Sequence, residues 1–265
     1  MKNAYLGVSG EALHCVKFYG VTNLKVGLED DNLFLVFEEA SKGSIDDFFD
    51  KYAGTLDWND VLGLYADVAT GLEELHHRGI THAYITIVSL SLTCSDLHEG
   101  NVLITTKYHK ASFTESEETA AVLIDFGRGQ ITERSRVDPE ALVSDAVMDD
   151  AKARDIFDYG ALMRDLTFFW MEKTGRTSVP QFLLDLIQKC TGEEGLIEMR
   201  KVVDRWELWA FEKVAGVPFS ELVPIADARE RLRRTPQSKF TTTRSLPSFS
   251  KVRRIFGNFV PSVSD

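Results

Sequence analysis

Apolar residues near the start of the chain fall into two short runs rich in β-branched and aromatic side chains. The runs cover residues 16–21 and 33–38, and a polar stretch that begins with a glycine separates them. This pattern is typical of two antiparallel strands joined by a turn. We therefore predict a β-hairpin in this part of the chain.

Further along, apolar positions recur every three or four residues, as they do on one face of a helix. The clearest example contains Val61, Leu64, Val68 and Leu72, and Asp57 precedes it as a candidate N-cap. The same spacing predicts helices over three later stretches, residues 155–170, 180–190 and 193–211. A few strands followed mostly by helices predict an α+β fold.

Composition places the chain among globular proteins. Its 265 residues are 44% apolar, which is enough to bury one or two cores. No apolar run approaches the roughly 18 residues of a membrane span, and the first residues lack the hydrophobic block of a secretory signal. Three widely separated cysteines, Cys15, Cys94 and Cys190, predict reduced core thiols. We therefore expect an intracellular, cytoplasmic protein with no membrane span.

Charge divides the chain into two unlike segments. Residues 229–265 contain nine basic and two acidic residues, so the net charge of −11 combines +7 there with −18 over residues 1–228. The acidic body argues against nucleic-acid binding, which depends on Lys and Arg. The basic tail is rich in Ser and Thr, with proline breaks, so we expect it to be unfolded or to fold against a partner. It is either a solvated tail or a regulatory arm released by phosphorylation.

Candidate chemistry lies in two loops next to apolar runs. Asp96 and Asn101 lie five positions apart, just before the run 102–104, and Asp125 follows a second such run and precedes Phe-Gly. Phosphoryl transfer needs a carboxylate that orients the attacking hydroxyl and oxygen ligands that hold Mg²⁺ between phosphates. Each loop is a weak signal by itself, and their order along the chain makes the signal specific.

Four motifs in sequence order resemble the protein kinase family. They are Leu-His-His-Arg-Gly-Ile-Thr-His at residues 75–82, the loop at 96–101, Asp-Phe-Gly at 125–127 and Asp-Ile-Phe-Asp-Tyr-Gly at 155–160. The resemblance covers residues 15 to 190. It implies a protein kinase-like two-lobe fold with a truncated small β lobe and a helical large lobe.

The resemblance also implies catalytic roles. Asp96 would be the catalytic base, and Asn101 and Asp125 would be the ligands of Mg²⁺. His98 stands where the family most often has a lysine that meets the transferring phosphate. Asp155 would anchor the catalytic loop by accepting hydrogen bonds from its backbone N–H groups.

ATP is the second cofactor that the resemblance implies. Glu38 to Ala40 would form the hinge whose backbone groups bind adenine, with Phe37 guarding the pocket behind it. Leu103 would form the apolar floor beneath the purine. Asp125 would contribute to the same site through the phosphate-bound Mg²⁺.

Two departures from the family put activity in question. Only fifteen residues precede residue 16, so we expect this chain to lack the glycine-rich loop and the lysine that binds the phosphates. Residues 84–95 also separate the histidine of the family motif from Asp96. They are either a genuine insertion or a retained intron, and their β-branched composition is typical of a buried strand.

The sequence thus predicts three segments, the remnant of a small lobe and hinge at 1–40, a large lobe at 41–215 and a basic tail at 216–265. The expected function is ATP-dependent phosphorylation of Ser, Thr or Tyr hydroxyls, with a protein as substrate or binding partner. Two alternatives stay open. The loop Asp-Leu-His-x-Gly-Asn and the short segment from Asp125 to Glu140 also resemble small-molecule kinases such as the aminoglycoside and choline phosphotransferases. The second alternative is a pseudokinase that only binds partners.

Overall fold

A computed structural model describes seven stretches of the chain, residues 14–25, 31–82, 97–111, 114–125, 145–192, 197–214 and 221–233. They contain six strands and six α-helices. In chain order they are β1 (Phe18–Lys25), β2 (Asp31–Phe37), α1 (Ile45–Tyr52), α2 (Trp58–His77), β3 (Val102–Ala111), β4 (Thr114–Leu123), α3 (Asp145–Thr174), β5 (Ser178–Pro180), α4 (Gln181–Thr191), α5 (Met199–Val214), β6 (Leu222–Pro224) and α6 (Ile225–Arg233). Small sheets with a helical majority agree with the predicted α+β class.

The predicted hairpin is confirmed as β1 paired antiparallel with β2, with Phe18 opposite Phe37. The first strand begins two residues later than its apolar run, because the residues before it pair with a different strand. The N–H of Val16 donates to the carbonyl of Leu123 at 2.9 Å. The apolar content of a short segment does not predict which strand it pairs with.

A second hairpin, β3 and β4, lies at the centre of the described β structure, with Val102 opposite Leu123. The segment 42–44 runs along its β3 side, where the N–H of Ile104 donates to the carbonyl of Gly43 at 2.8 Å. Residues 14–16 run along its β4 side, where the N–H of Leu123 donates to the carbonyl of His14 at 2.9 Å. The hairpin therefore ties the segment before β1 to the segment after β2.

Helix α2 is the predicted long amphipathic helix, and Asp57 is its N-cap as expected. The carboxylate of Asp57 accepts the N–H of Asp60, and the carboxylate of Asp60 accepts the N–H of Asp57, which forms a capping box. The apolar positions at its predicted spacing are buried. At Gly71 a Cβ atom would lie 2.8 Å from the carbonyl oxygen of His14, so only glycine permits this approach of the chain to α2.

The later helices pack into one apolar core with α2. Gly160 of α3 meets α4 so closely that a Cβ atom would lie 2.6 Å from Cβ of Cys190. Within this core, the Tyr159 hydroxyl donates to the carbonyl of Tyr65 at 2.9 Å and accepts the indole N–H of Trp206 at 2.8 Å. Burial raises the pKa of the Tyr65 hydroxyl and of the Tyr159 hydroxyl well above the usual range of tyrosine. These hydroxyls therefore stay neutral and serve as hydrogen-bonding groups of the core.

Two helix boundaries differ from their predictions. Helix α3 begins at Asp145, ten residues before the predicted start, and α5 begins at Met199 rather than at residue 193. Residues 193–196 lie outside the described stretches. The early start of α3 was missed because its two buried apolar residues there, Met148 and Ala151, are interspersed with charged residues at 149, 150, 152 and 154.

The tail was predicted to begin at residue 216, but residues 221–233 are folded. Strand β6 pairs with β5, and α6 buries Ala228 and Leu232 in the core. The guanidinium of Arg231 donates to the side chains of Gln181 and Asp185 on α4. Only two apolar positions one turn apart, Ala228 and Leu232, face the core, so the basic composition of this stretch masked its helical pattern. One of its basic residues, Arg231, binds the carboxylate of Asp185. Residues 234–265 of the predicted tail lie outside the described stretches.

Two further sequence expectations concern cysteines and membranes. Cys15 and Cys190 are buried thiols as predicted, and burial raises the pKa of Cys190 to about 12. Cys94 lies outside the described stretches. Among the helices described here, none combines the length and the apolar character that a membrane span requires.

Candidate functional site

Most of the predicted site residues lie in the described part of the chain. Asp96 does not, and neither does the predicted insertion at 84–95. His98 and Asn101 lie in the loop before β3, and Asp125 follows β4. The hinge residues and Leu103 are described as well.

The loop before β3 is a single 3₁₀ turn, Glu99–Asn101, with His98 as its N-cap. The N–H of Gly100 donates to Nδ1 of the His98 ring at 3.1 Å. The N–H of Asn101 donates to the carbonyl of His98 at 2.9 Å. Asn101 is buried, so the turn holds its side chain inside the protein.

This turn is bonded directly to the segment that carries Asp125. The N–H of Ile124 donates to the carbonyl of Asn101 at 3.0 Å, so the two loops predicted to share a site are adjacent. Asp125 has a φ of 61°, a left-handed conformation that is uncommon for a residue with a side chain. Such backbone strain concentrates at functional sites. Its side chain is exposed.

The predicted hinge lies between β2 and the segment that pairs with β3. The Phe37 ring packs against Phe18 with centroids 5.4 Å apart, and Glu38 donates its N–H to the carbonyl of Lys17 at 2.8 Å. Ala40 is half-buried. A bridge between Ser44 and Leu103 then brings the chain after the hinge beside the predicted purine floor.

Lys42 forms hydrogen bonds near this site that the sequence did not predict. Its ammonium group donates to the hydroxyl of Thr119 on β4 at 2.7 Å, and its backbone N–H donates to the carbonyl of Ile104 at 3.1 Å. Lys42 thereby fixes the segment after the hinge to both strands of the second hairpin. Its position before Gly43-Ser44 carries no signal of this role, because the partner lies 77 residues away.

A buried network joins the end of α2 to α3 and to β4. Asp155 is fully buried, and its Oδ2 accepts the backbone N–H of His82 at 2.9 Å, as its predicted anchoring role requires. The same oxygen lies 2.8 Å from Nε2 of His76. The Nε2–H of His82 donates to the carbonyl of Ile124 at 2.9 Å. The network therefore connects residue 82, two residues before the predicted insertion at 84–95, to the backbone next to Asp125.

Comparison with known families identifies a kinase-like segment near the start of the chain. The family model described as protein tyrosine and serine/threonine kinase matches residues 5–94. The chain contains a protein-kinase-like segment. This confirms the resemblance found in the sequence, over a third of the chain. No curated protein matches the chain.

The kinase-like segment includes the predicted hinge, α1, α2 and His82, and it ends two residues before Asp96. Asn101 and Asp125 therefore lie beyond the matched residues. The structure connects them to the matched part through the bridge at Leu103 and the bond from His82 to Ile124. The predicted catalytic residues consequently rest on their own motifs and on these contacts.

The side chains at the joined loops suit a magnesium ion bound to phosphates. Asn101 has an amide oxygen and Asp125 a carboxylate, and hard cations such as Mg²⁺ prefer oxygen ligands. Mg²⁺ commonly takes only one or two protein ligands and completes its coordination with phosphates and water. The two oxygen-bearing residues therefore fit this ion without a dedicated cage of acidic groups.

Proposed function

We propose that the chain binds Mg²⁺–ATP beside the hinge at Glu38 and transfers a phosphoryl group to a protein hydroxyl. The observation that carries this proposal is the hydrogen bond from the Ile124 N–H to the Asn101 carbonyl. It joins the two loops that the motifs assign to phosphoryl transfer, next to the strained backbone of Asp125.

In this proposal the chain's residues position the reactants. Asp96 accepts the proton of the substrate hydroxyl, and Asn101 and Asp125 hold the magnesium ion. When bound, Mg²⁺ neutralises charge on the phosphates. Catalysis of this kind depends almost entirely on positioning and electrostatics, so the hydrogen bonds that hold the turn before β3 support the proposal.

The hinge would bind adenine through backbone groups. The Lys17 carbonyl accepts the N–H of Glu38, and the Ala40 carbonyl accepts the N–H of Gly43, so the carbonyl of Glu38 and the N–H of Ala40 are the groups proposed to meet the purine. The bridge between Ser44 and Leu103 supports Leu103 as the apolar floor, since it places that strand beside the hinge segment. Phe37, packed on Phe18, would close the pocket from behind.

A small-molecule kinase is the second candidate. His98 favours it, because the histidine two residues after the predicted base also occurs in the loop that resembles the aminoglycoside and choline phosphotransferases. The histidine is part of the turn itself, where it caps Gly100. The cap explains the presence of His98 equally well in a protein kinase and in a small-molecule kinase. Substrate assays are therefore needed to distinguish the two candidate functions.

Nucleotide binding is tested by thermal unfolding of the full chain with and without Mg²⁺–ATP. At a ligand concentration 100 times Kd, binding should stabilise the wild type by about 2.7 kcal/mol. The variant Asp125→Ala should lose most of this stabilisation, while Asp149→Ala, an exposed aspartate of α3, should keep it. If nucleotide stabilises neither wild type nor variant, the chain is a binding module and the proposal is wrong.

Phosphate incorporation from labelled ATP identifies the acceptor. Transfer to a protein mixture supports the protein kinase, and transfer to choline or an aminoglycoside supports the second candidate. In either case Asp96→Asn should abolish transfer, with Asp149→Asn as the matched control. An unchanged rate in Asp96→Asn would contradict its assignment as the base.

A further inference from the structure

The outer edge of β4, the edge that faces away from β3, changes partners along its length. At the end of the strand, the N–H of Leu123 donates to the carbonyl of His14 at 2.9 Å. Two residues earlier, the N–H of Ala121 donates at 2.9 Å to the carboxylate of Asp67 on α2. Both of these backbone groups point away from β3, so two different parts of the protein cover this edge at its base.

Beyond Ala121 the same edge continues with three more outward-facing residues. The ladder with β3 runs without a bulge as far as Thr114, so its alternation also directs the backbone groups of Thr119, Glu117 and Glu115 away from β3. Among the described residues, no backbone group from outside the hairpin bonds to these three positions. Such a strand edge is a template on which an extended segment can pair.

The two strands of this hairpin differ in charge. Strand β4 contains three glutamates and no Lys or Arg, whereas β3 contains Lys107 and Lys110 and no Asp or Glu. In the ladder, two of the glutamates lie directly opposite the two lysines, but Glu117 lies opposite Tyr108. Glu117 is also one of the three outward-facing residues. A basic strand therefore fits the edge of β4 better than the edge of β3.

A segment with matching chemistry follows α6 in the sequence. Residues 250–256, Ser-Lys-Val-Arg-Arg-Ile-Phe, contain three basic residues, no acidic residue and neither Pro nor Gly. Their β-branched and aromatic residues favour an extended strand. Residues 234–249 connect this segment to α6. When extended they span about 50 Å, and a folded body of this size is about 45 Å across, so the connection is long enough to reach β4.

We propose that residues 250–256 of this chain add a third strand to the outer edge of β4. The backbone groups of Thr119, Glu117 and Glu115 form the hydrogen bonds, and the glutamates select a basic strand. The ammonium group of Lys42 donates to the side chain of Thr119 at 2.7 Å, so the docked strand lies next to the residue that links β4 to the segment after the hinge. This contact goes beyond the proposed function and requires no nucleotide.

The test is hydrogen exchange of the full chain, measured at each residue by NMR. In the wild type, the outward amides of Thr119, Glu117 and Glu115 should exchange as slowly as the amides of Ser116 and Glu118, which the ladder directs towards β3. Fast exchange of the three outward amides in the wild type would mean that water covers this edge, and it would overturn the proposal.

Charge reversal identifies the docked segment. Arg253→Glu combined with Arg254→Glu should speed exchange of the three outward amides by about 10-fold or more, because a docked strand opens as a unit, and the inward amides should keep their rates. Lys239→Glu combined with Arg244→Glu makes the same change of charge elsewhere in the tail and is the matched control. Equal acceleration by both pairs would overturn the assignment to residues 250–256.

A charge swap and a dilution series complete the test. Glu117→Lys should also speed exchange of the outward amides, and adding Arg253→Glu and Arg254→Glu to it should slow that exchange again, because attraction is restored with the signs exchanged. If the swap restores no protection, charge does not select this edge and the proposal fails. Docking within one chain is independent of protein concentration. Protection that increases with concentration would assign the strand to a second copy and overturn the contact proposed here.

Discussion

The helical part and the β1–β2 hairpin cover their apolar residues to very different extents. Leu72 of α2, Trp170 of α3 and Leu183 of α4 are each 0% exposed. In the hairpin, Val21 is 41% exposed and Val36 is 38% exposed. These helical residues thus form a closed core, whereas two valines of the hairpin face solvent, as Leu208 and Phe211 of α5 also do.

This difference explains why the hairpin depends on the rest of the molecule. Residues 33–37 of β2 form a continuous apolar run, which is typical of a strand covered on both faces. Phe37 packs against the core, while Val36 on the opposite face is exposed. An isolated two-stranded hairpin is at best marginally stable, so its anchors at residues 14–17 and 42–44 hold it in place. The candidate hinge lies between these two regions.

The largest expected effect lies in the buried network at the end of α2. Asp155→Ala should lower the free energy of unfolding by about 3–5 kcal/mol, because it leaves the buried His82 N–H and the His76 ring without their acceptor. The measurement is urea unfolding of the full chain followed by far-UV circular dichroism.

The control for this variant is Asp155→Asn. It keeps one oxygen acceptor of nearly the same shape and loses the negative charge, so a smaller loss of stability is expected. A loss below about 1 kcal/mol in Asp155→Ala would mean that the network does not hold the helical part to β4.

A matched pair of valines tests the comparison itself. Val68 of α2 is 1% exposed, and Val36 of β2 is 38% exposed. Val68→Ala should cost about 1.5–3 kcal/mol because the lost methyl groups were fully buried. Val36→Ala should cost less than about 1 kcal/mol, since much of its side chain already contacts water.

Equal losses in the two valine variants would contradict the contrast between the regions. Such a result would mean that the outer face of β2 is covered in solution. Hydrogen exchange sharpens the same contrast, because amides of an anchored but partly exposed hairpin open more readily than those of a closed core. The amides of β2 should therefore exchange faster than those of α2.

The sequence predicted the elements with local signals. The hairpin β1–β2 follows from two apolar runs around a turn, and α2 follows from its spacing and from the cap at Asp57. The folded segment at 221–233 was missed, because two buried positions in a basic stretch give too weak a pattern. Pairing between distant segments, such as Val16 with Leu123, also left no local trace.

The candidate site was predicted only as a set of residues. Motif order indicated that the loops at Asn101 and Asp125 belong together, and the bond from Ile124 to Asn101 makes them neighbours. The sequence could not reveal the left-handed backbone of Asp125 or the ring nitrogen that His98 uses, since both depend on three-dimensional contacts. The sequence also did not predict that His76 contacts Asp155, because the two residues lie 79 positions apart.

A smaller effect than that of Val68→Ala is expected at the cap of α2, whose buried residues belong to the core. Asp57→Ala removes the acceptor of the Asp60 N–H and should cost about 1 kcal/mol, whereas Asp57→Asn keeps an acceptor and should cost little. The cap lies in the helical part, far along α2 from the hairpin anchors at Gly71. The loss should therefore appear in global unfolding, with the difference in exchange rate between β2 and α2 preserved. A selective increase in exchange at β2 would instead show that the hairpin, and not the core, is the region that responds to the start of α2.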